Sequence, residues 1–262
     1  MMNNREIKRK TKKFIIASFP FILFLFLIII VYLLTKPAPS CFDQKRNQGE
    51  EGIDCGGPCL PCYIKYAKEP EILSTQVLPV TQEFSEVLIK IKNENEKVGA
   101  KFNYRVRFFD RFAQLIGEEE GKSFVLPLSV KYLVLPKVNL KSQEIFRVDF
   151  SFTKLEWQEF PYPSSELFSV LNKKLRWLSP KEPGVLELSG ELQNETSLIF
   201  SRAEIVILLY SRTGEILNAA RTEMENLKAG ERRSFKYVWL INFLNSHLLD
   251  PDRIEVFVDS IE

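Results

Sequence analysis

Apolar and polar residues alternate with a period of two in several segments of the chain after residue 66. In the first half of this region the apolar positions are Val87, Ile89, Ile91, Phe102, Tyr104, Val106, Phe108, Phe146, Val148, Phe150 and Phe152. In the second half they are Leu186, Leu188, Leu192 and residues within 235–240 and 254–258, while residues 203–210 are apolar on both faces. A period of two places one face of a strand in a core and the other in water. Because turn-forming Asn, Gly and Pro separate these runs, we predict an all-β region built from antiparallel sandwiches.

The two sets of strands match each other when the chain is shifted by 101 residues, which aligns Asn93 with Asn194. In both copies an apolar strand ends in an aromatic residue, and a short turn and another apolar strand follow. The first copy is expected to carry about ten extra residues around 127–136 before its last strand. The predicted boundaries are residues 67–160 for the first sandwich and residues 184–262 for the second.

The segment between the sandwiches, residues 161–183, has apolar residues at helical spacing. They are Leu167, Phe168, Leu171, Leu175 and Leu178. Ser164 or Ser165 would cap such a helix, and Pro180 would end it. The sequence therefore predicts a linker with a short helix, which either packs its apolar stripe against one sandwich or presents it to a partner.

The one long apolar run of the chain covers residues 14–34 and contains no charged residue. A helix of this length spans roughly 30 Å, the hydrocarbon thickness of a bilayer. The preceding residues 1–13 carry six Lys and Arg against one Glu, whereas only Lys36 follows closely. This bias predicts a cytoplasmic basic tail, a transmembrane helix over residues 14–34 and extracytoplasmic C-terminal domains. The alternative is a signal peptide cleaved before Cys41, after the small residues 38–40.

The formal charge of the chain is +2, but residues 1–13 contribute +5 and Lys36 contributes +1. The remainder therefore carries about −4, which excludes a basic surface built for nucleic acid. We predict no nucleic-acid partner. The predicted partners are the membrane, through residues 14–34, and an envelope protein or polymer.

All four cysteines, Cys41, Cys55, Cys59 and Cys62, lie in a predicted stalk over residues 35–66. In a reducing cytosol their spacing would suggest a structural zinc site. Outside the membrane an even number of clustered cysteines indicates two disulfides, for which three pairings exist. The same stretch offers oxygen donors that a calcium ion could use, as an alternative to solvated turn residues. These donors are Asp43, Asn47, Glu50, Glu51 and Asp54.

The cysteine stretch resembles a short module of bacterial and archaeal surface proteins with the pattern C-x-D-x3-N-x-G-E-x-G-x-D-C-G-G-x-C-x2-C. The residues that carry the resemblance are Cys41, Asp43, Asn47, Gly49, Glu50, Gly52, Asp54, Cys55, Gly56, Gly57, Cys59 and Cys62, while Gln44 stands where the module usually has Gly. The resemblance implies a surface location and no activity.

The second sandwich resembles the FxLYD family of extracytoplasmic β-sandwich domains. The matching residues are Gly190, Leu192, Asn194, Thr196, Leu209, Tyr210, Gly214, Ile216, Leu227, Gly230, Glu231 and Phe235. The Asp of the family pattern is Ser211 in this copy, whereas the first copy has Phe109 followed by Asp110. The family implies tandem Ig-like folds in the envelope, with these residues in structural roles and no catalytic residues.

Few residues are candidates for chemistry. His247 lies near Ser246 and Asp250, but neighbours in sequence rarely form a catalytic triad. Asn194 begins a glycosylation sequon, which coincides with the turn at Asn194 and Thr196 in the FxLYD pattern. We therefore predict no catalytic, cofactor or metal site, and a non-enzymatic, single-pass membrane protein that binds or scaffolds at the cell envelope. The alternative is an accessory subunit of an envelope enzyme or secretion complex.

Overall fold

The computed structural model describes residues 4–35, 40–160, 167–179, 184–241 and 246–260. The chain forms two compact units, residues 1–62 and residues 63–262. Two α-helices are present in the described part, α1 (Asn4–Thr35) and α2 (Cys62–Lys65). Helix α1 contains the apolar run and Pro20, and its side chains are described from residue 18 to residue 34. No helix in the described part of the chain combines the length and the apolar character needed to span a membrane.

The first sandwich contains six antiparallel strands. They are β1 (Glu71–Pro79), β2 (Ser85–Asn93), β3 (Val98–Phe109), β4 (Leu115–Val125), β5 (Ser129–Val138) and β6 (Arg147–Glu159). They form one sheet in the order β1-β2-β5 and another in the order β4-β3-β6. The inward positions of the period-two pattern, such as Ile89 and Val106, form the core between these sheets. The all-β prediction is confirmed.

The second sandwich repeats this arrangement. Its strands are β7 (Phe168–Ser179), β8 (Gly184–Asn194), β9 (Phe200–Ser211), β10 (Ile216–Leu227), β11 (Arg232–Ile241) and β12 (Leu249–Ser260). The two sheets have the orders β11-β8-β7 and β10-β9-β12, so each strand corresponds to the strand six places earlier. Leu188, Ile207 and Trp239 belong to its core.

The helix expected in the linker is wrong, because Phe168–Ser179 is strand β7 and pairs with β8. The register of this pair shifts between Leu171 and Lys174, and Asn172 has a φ of +52°. Such a β-bulge adds a residue to one strand and changes the phase of its alternation. Apolar residues on the two sides of the bulge therefore imitate helical spacing. The second sandwich begins at Phe168 instead of residue 184, and residues 161–166, with both candidate capping serines, lie outside the described residues.

The prediction of extra residues around 127–136 is also wrong. Most of them belong to β5, which pairs with β2 just as β11 pairs with β8. Pro136 lies within β5, an edge strand of its sheet, where a missing backbone N–H can be tolerated. The alignment of Asn93 with Asn194 is correct, since these residues end the corresponding strands β2 and β8.

Candidate functional site

The four cysteines form two disulfides, Cys41–Cys59 and Cys55–Cys62. This confirms the disulfide prediction and selects one of the three pairings. Glu50 is buried, and its carboxylate lies near Cys41 and Cys59. Because both sulfurs are in a disulfide, neither is available as a thiolate ligand for zinc.

Three of the oxygen donors of the same stretch, Asp43, Glu50 and Asp54, accept hydrogen bonds from the backbone of its turns. The Glu50 carboxylate accepts hydrogen bonds from the backbone N–H groups of Asn47 and Asp54. Asp54 accepts from the N–H of Gln44, and Asp43 accepts from the side-chain amide of Asn47, which lowers the pKa of Asp43. Carboxylates turned toward backbone donors in this way are typical of side-chain-stabilised turns.

The predicted motif residues of the second sandwich meet at one end of it. The buried side-chain amide of Asn194 donates to the carbonyl groups of Leu198 and Lys228, and its oxygen accepts from Thr196. Glu231 accepts from the N–H of Lys228 at 2.8 Å. This network fixes two turns of the sandwich. Because Asn194 is fully buried, its sequon serves the fold and not glycosylation.

The structure explains why four further motif residues are needed at their positions. The ring of Phe235 lies against Gly190, where a Cβ atom would stand 2.8 Å from the ring. Gly214 has a φ of +91° in the hairpin between β9 and β10, a conformation that favours glycine. Gly230 also has a positive φ, of +64°, before Glu231. These residues therefore shape the turns and the packing of the second sandwich.

Tyr210 has a different environment from these glycines. Its hydroxyl donates to the Glu255 carboxylate at 2.7 Å, and the guanidinium of Arg253 lies over its ring. Burial, followed by the hydrogen bond to Glu255, raises the pKa of Tyr210 well above its ordinary value. The phenol therefore stays protonated and serves as a hydrogen-bond donor at the edge of the contact between the sandwiches.

The first copy uses its motif residues to build the turn between β3 and β4. The Asp110 carboxylate accepts from the N–H groups of Phe112 and Gln114 at 2.8 and 2.9 Å, and Ala113 has a φ of +59°. Phe109 lies under the guanidinium group of Arg147, 4.5 Å from the ring centroid. The loop is thus held by its own hydrogen bonds, while the ring of Phe112 points into solvent.

Phe112 and Phe146 are the most exposed aromatic side chains at this end of the first sandwich, at 76% and 77%. They line a cavity of about 580 Å³ together with Asp110, Arg111, Ile116, Gln143, Glu144 and Ile145. We call this region the aromatic end. The chain enters the sandwich at the opposite end, where the amide of Asn95 accepts from and donates to the backbone of Lys68.

The two sandwiches pack against each other through a second apolar layer, which we call the inter-sandwich interface. Its buried members are Leu78, Leu88, Tyr132 and Val134 from the first sandwich and Val206, Leu208, Tyr210 and Ala219 from the second. It joins the sheet β1-β2-β5 to the sheet β10-β9-β12. This contact explains why residues 203–210 are apolar on both faces: one face packs in the core of its own sandwich and the other packs in the interface.

Buried polar groups cross the same interface. Glu86 accepts hydrogen bonds from the side-chain amide of Asn218 and the N–H of Ala219, and Asn218 in turn accepts from the indole of Trp239 at 2.8 Å. Burial raises the pKa of Glu86 to about 7. Satisfied polar networks of this kind specify a single packing geometry, because a shifted arrangement would leave buried groups without partners.

An ion cluster lies beside this network. The Lys131 ammonium group, only 1% exposed, is 2.6 Å from Glu204 and 3.3 Å from Asp259. It also lies 4.3 Å from the centroid of Phe124. Burial raises the pKa of Asp259, although the charge of Lys131 opposes this shift. The sequence did not indicate this cluster, since a lysine in an alternating strand normally points to water.

The remaining predicted candidates are not brought together. His247 is exposed in a short 3₁₀ helix, Ser246–Leu248, and Asp250 accepts a hydrogen bond from the N–H of Asp252. The side chain of Ser246 lies outside the described residues. Phe112 was missed by the sequence analysis, although an aromatic residue in a turn between two strands is a usable signal of a binding loop.

No family model matches this chain, and no curated protein matches it. The resemblances stated above therefore stay predictions. Among solved structures, the chain is similar to a transglutaminase of red sea bream at 12% identity and a TM-score of 0.24, covering 76% of this chain and 30% of that one. It is also similar to the tandem domain CBM22-1-CBM22-2 of Xyn10C from Paenibacillus barcinonensis, at 8% identity and a TM-score of 0.16, covering 75% of this chain and 92% of that one. Neither similarity carries an argument about function.

Proposed function

We propose that this chain is a non-enzymatic, single-pass membrane protein whose two sandwiches lie outside the cytoplasm and bind another protein of the cell envelope. The observation that carries the proposal is the aromatic end of the first sandwich. There Phe112 and Phe146 are both more than three-quarters exposed beside a cavity of about 580 Å³. Exposed aromatic side chains beside a pocket are typical anchors of protein–protein interfaces.

The hydrogen bonds that hold the two loops support this role. Asp110 fixes the loop of Phe112 through two backbone hydrogen bonds, and the N–H of Phe146 donates to the carbonyl of Phe109 at 2.8 Å. A residue held in its bound conformation loses little entropy when a partner binds. The corresponding residue of the second sandwich is Thr213, so the aromatic anchor in this turn is specific to the first copy.

Three observations support the proposed placement outside the cytoplasm. The uncharged run of residues 14–34 follows a strongly basic tail, which favours an anchored chain with its C-terminal part outside. The two disulfides of the cysteine stretch fit an oxidising compartment. The FxLYD-like pattern of the second sandwich agrees with the same location.

Site-specific photo-crosslinking in native membranes tests the proposal. A photoreactive residue at position 112 of the full-length chain should yield one defined protein adduct, and Phe146→Ala should abolish it. A photoreactive residue at position 199 is the matched control, because Ile199 is 64% exposed on the second sandwich. Equal adduct yields from positions 112 and 199 would contradict a specific aromatic site.

The same preparation tests the anchor. The chain should stay in the membrane pellet after an alkaline wash, and added protease should digest the sandwiches in intact spheroplasts. Protection of the sandwiches in intact spheroplasts would place them in the cytoplasm and overturn the topology. If the adduct contains an envelope enzyme or a secretion component, the accessory-subunit alternative becomes the better description.

A further inference from the structure

The outer face of sheet β4-β3-β6 has a cavity of about 340 Å³ that is separate from the aromatic end. The residues of this cavity that matter for its charge are Lys101, Asn103, Lys122, Lys154, Glu156 and Arg202. We call it the cationic cavity. None of these residues contributes to the aromatic end or to the disulfide module.

The strand register explains why the lysines gather. Asn103 of β3 lies opposite Lys122 of β4 and opposite Lys154 of β6, and Lys101 lies opposite Glu156. Side chains directly opposite each other in an antiparallel pair share one face of the sheet. The amide of Asn103 is therefore flanked by lysines on both sides, and it can donate a hydrogen bond into the same space.

The fourth cation comes from the other sandwich. Arg202 belongs to β9, two residues before Glu204, which binds Lys131 of the first sandwich. The inter-sandwich interface therefore holds Arg202 at the rim of the cavity. Lys101 and Arg202 occupy equivalent positions in the repeat, since they are 101 residues apart.

The cavity has more positive than negative charge. Of its four cations, Lys154 lies 2.5 Å from Glu156, and Arg202 lies 3.6 Å from Glu223, which is outside the cavity lining. The positive charges of Lys101 and Lys122 remain. Within the described part of the chain, Lys101 and Lys122 form no ion pair. The hydrogen bond from Lys154, helped by the charges of Lys101 and Lys122, lowers the pKa of Glu156. The cavity thus already stabilises one anionic group.

The excess positive charge of Lys101 and Lys122 lies at one end of this face of the sheet. Farther along the same face, Arg105 is 2.6 Å from Glu120 and 3.4 Å from Glu118, and Arg147 is 3.1 Å from Asp149. Those arginines are therefore neutralised by neighbours on the sheet. Arg107 of the same face lies opposite Glu118 and Asp149, so carboxylates flank the arginines in this part of the sheet.

We propose that the cationic cavity binds a phosphate group, either as inorganic phosphate or as a phosphate monoester. A phosphate monoester carries a charge of about −1.5 to −2 at pH 7, which matches the two uncompensated positive charges. Lysine ammonium groups bind phosphate as point charges from several directions, and Asn103 supplies a neutral donor. This inference goes beyond the proposed function, because it depends neither on the aromatic end nor on the membrane anchor.

Isothermal titration of the full-length chain in detergent, at low ionic strength, tests the proposal with inorganic phosphate and with glucose 6-phosphate. Lys101→Gln and Lys122→Gln should each weaken binding by about fivefold or more, as expected for the loss of one charge-assisted contact. Lys174→Gln is the matched control, because Lys174 is an exposed strand lysine of the second sandwich. Binding of both probes supports recognition of the phosphate group itself. Tighter binding of glucose 6-phosphate indicates an ester-bearing ligand, and binding of inorganic phosphate alone indicates the free anion.

Glu156→Gln distinguishes a binding site from a fold effect. This change removes the carboxylate that competes for the lysines, so phosphate should bind more tightly than to the wild-type chain. A misfolded variant could not show that gain. The proposal is overturned if Glu156→Gln does not tighten binding, if the lysine variants bind as the wild type does, or if acetate binds as well as phosphate. Phe112→Ala should leave phosphate binding unchanged, so a failure at either site can be recognised separately.

Discussion

Glu86 and Glu187 occupy the same position in the two copies of the repeat, seven residues before Asn93 and Asn194. Glu86 lies under the second sandwich, accepts hydrogen bonds from neutral donors and has its pKa raised to about 7 by burial. Glu187 lies 2.5 Å from Lys236 and 3.0 Å from Arg176, which lower its pKa. The two pKa values shift in opposite directions because the sandwiches are stacked: the second sandwich covers Glu86, whereas the first sandwich does not cover Glu187.

The raised pKa of Glu86 predicts a stability that falls with rising pH. In the folded state Glu86 retains its proton up to about pH 7, whereas the ordinary pKa of a glutamate carboxyl group is 4.5. The contribution of Glu86 to the free energy of unfolding is therefore greatest below pH 4.5. It is lost as the pH rises through 7, by up to about 3 kcal/mol. Glu86→Gln keeps a neutral acceptor, so urea unfolding at pH 5 and pH 8 should differ less in this variant than in the wild type.

Glu187→Gln is the matched control for this experiment. Because the pKa of Glu187 is lowered, its stabilising effect is present above pH 4.5 and is lost in acid. This variant should be destabilised at neutral pH and should approach the wild type as the pH falls. A Glu86→Gln variant with the same pH dependence as the wild type would show that Glu86 is ionised in the folded protein.

Removal of the Lys131 charge should weaken the inter-sandwich interface strongly. Lys131→Met leaves Asp259 without its cation and leaves Glu204 with only Arg221, at 3.8 Å; breaking a buried pair in this way costs about 3–5 kcal/mol. Arg176→Met removes an exposed cation and should cost less than about 1 kcal/mol. The free energy of unfolding in urea measures both. Restored stability in the triple variant K131M/E204Q/D259N would identify the unpaired carboxylates as the cause, and no restoration would argue for lost packing instead.

The buried asparagines should each be required for their own sandwich. Asn194→Ala leaves the carbonyl groups of Leu198 and Lys228 without a donor, and Asn93→Ala does the same to Val98 and Leu126. We expect a loss of about 2–3 kcal/mol for each. Asn139→Ala, at an exposed position, should change the free energy of unfolding by less than about 0.5 kcal/mol. Similar losses at all three positions would contradict a special role for the buried amides.

Reduction should affect the cysteine stretch and spare the sandwiches. Peptide mapping without reductant should give the pairs Cys41–Cys59 and Cys55–Cys62 and no free thiol. Phe42, Ile53 and Leu60 are exposed, so this segment has no apolar core to replace its disulfides. After reduction, residues 41–62 should become sensitive to protease while the thermal unfolding of the sandwiches keeps its midpoint. Four free thiols in the native protein would contradict the proposed extracytoplasmic location.

The positions of the strands, and which of their residues point into the core, could be predicted from the sequence wherever a strand has no bulge. The alternation around Ile89, Val106 and Phe150 gave correct strands, because period two is a direct consequence of the pleat. Prediction failed at β7, where the bulge after Leu171 changed the phase, and at β5, which was taken as an insertion. The bulge explains the error at β7, and the error at β5 arises because its pairing partner, β2, is distant in the sequence.

The candidate sites were less predictable than the fold. Asn194, Gly230 and Glu231 were selected from the sequence and do lie together in one network. The cationic cavity was not predicted, because it needs Lys122 and Lys154 on two strands and Arg202 from the other sandwich. The sequence of one strand does not show which charged side chains lie beside a lysine on the neighbouring strands of the sheet.

The all-β class, the tandem repeat and the inward face of most strands follow from the amino-acid sequence, since each depends on spacing along the chain. The concentration of the cysteines in one segment is also a property of the sequence. The cysteine pairing, the stacking of one sandwich on the other and the opposite surroundings of Glu86 and Glu187 become visible only in the folded chain. These depend on contacts such as that between Glu86 and Asn218, which are 132 residues apart. A pattern over a few neighbouring residues carries no information about a contact between residues so far apart in the sequence. The buried interface therefore forms only when both sandwiches are folded.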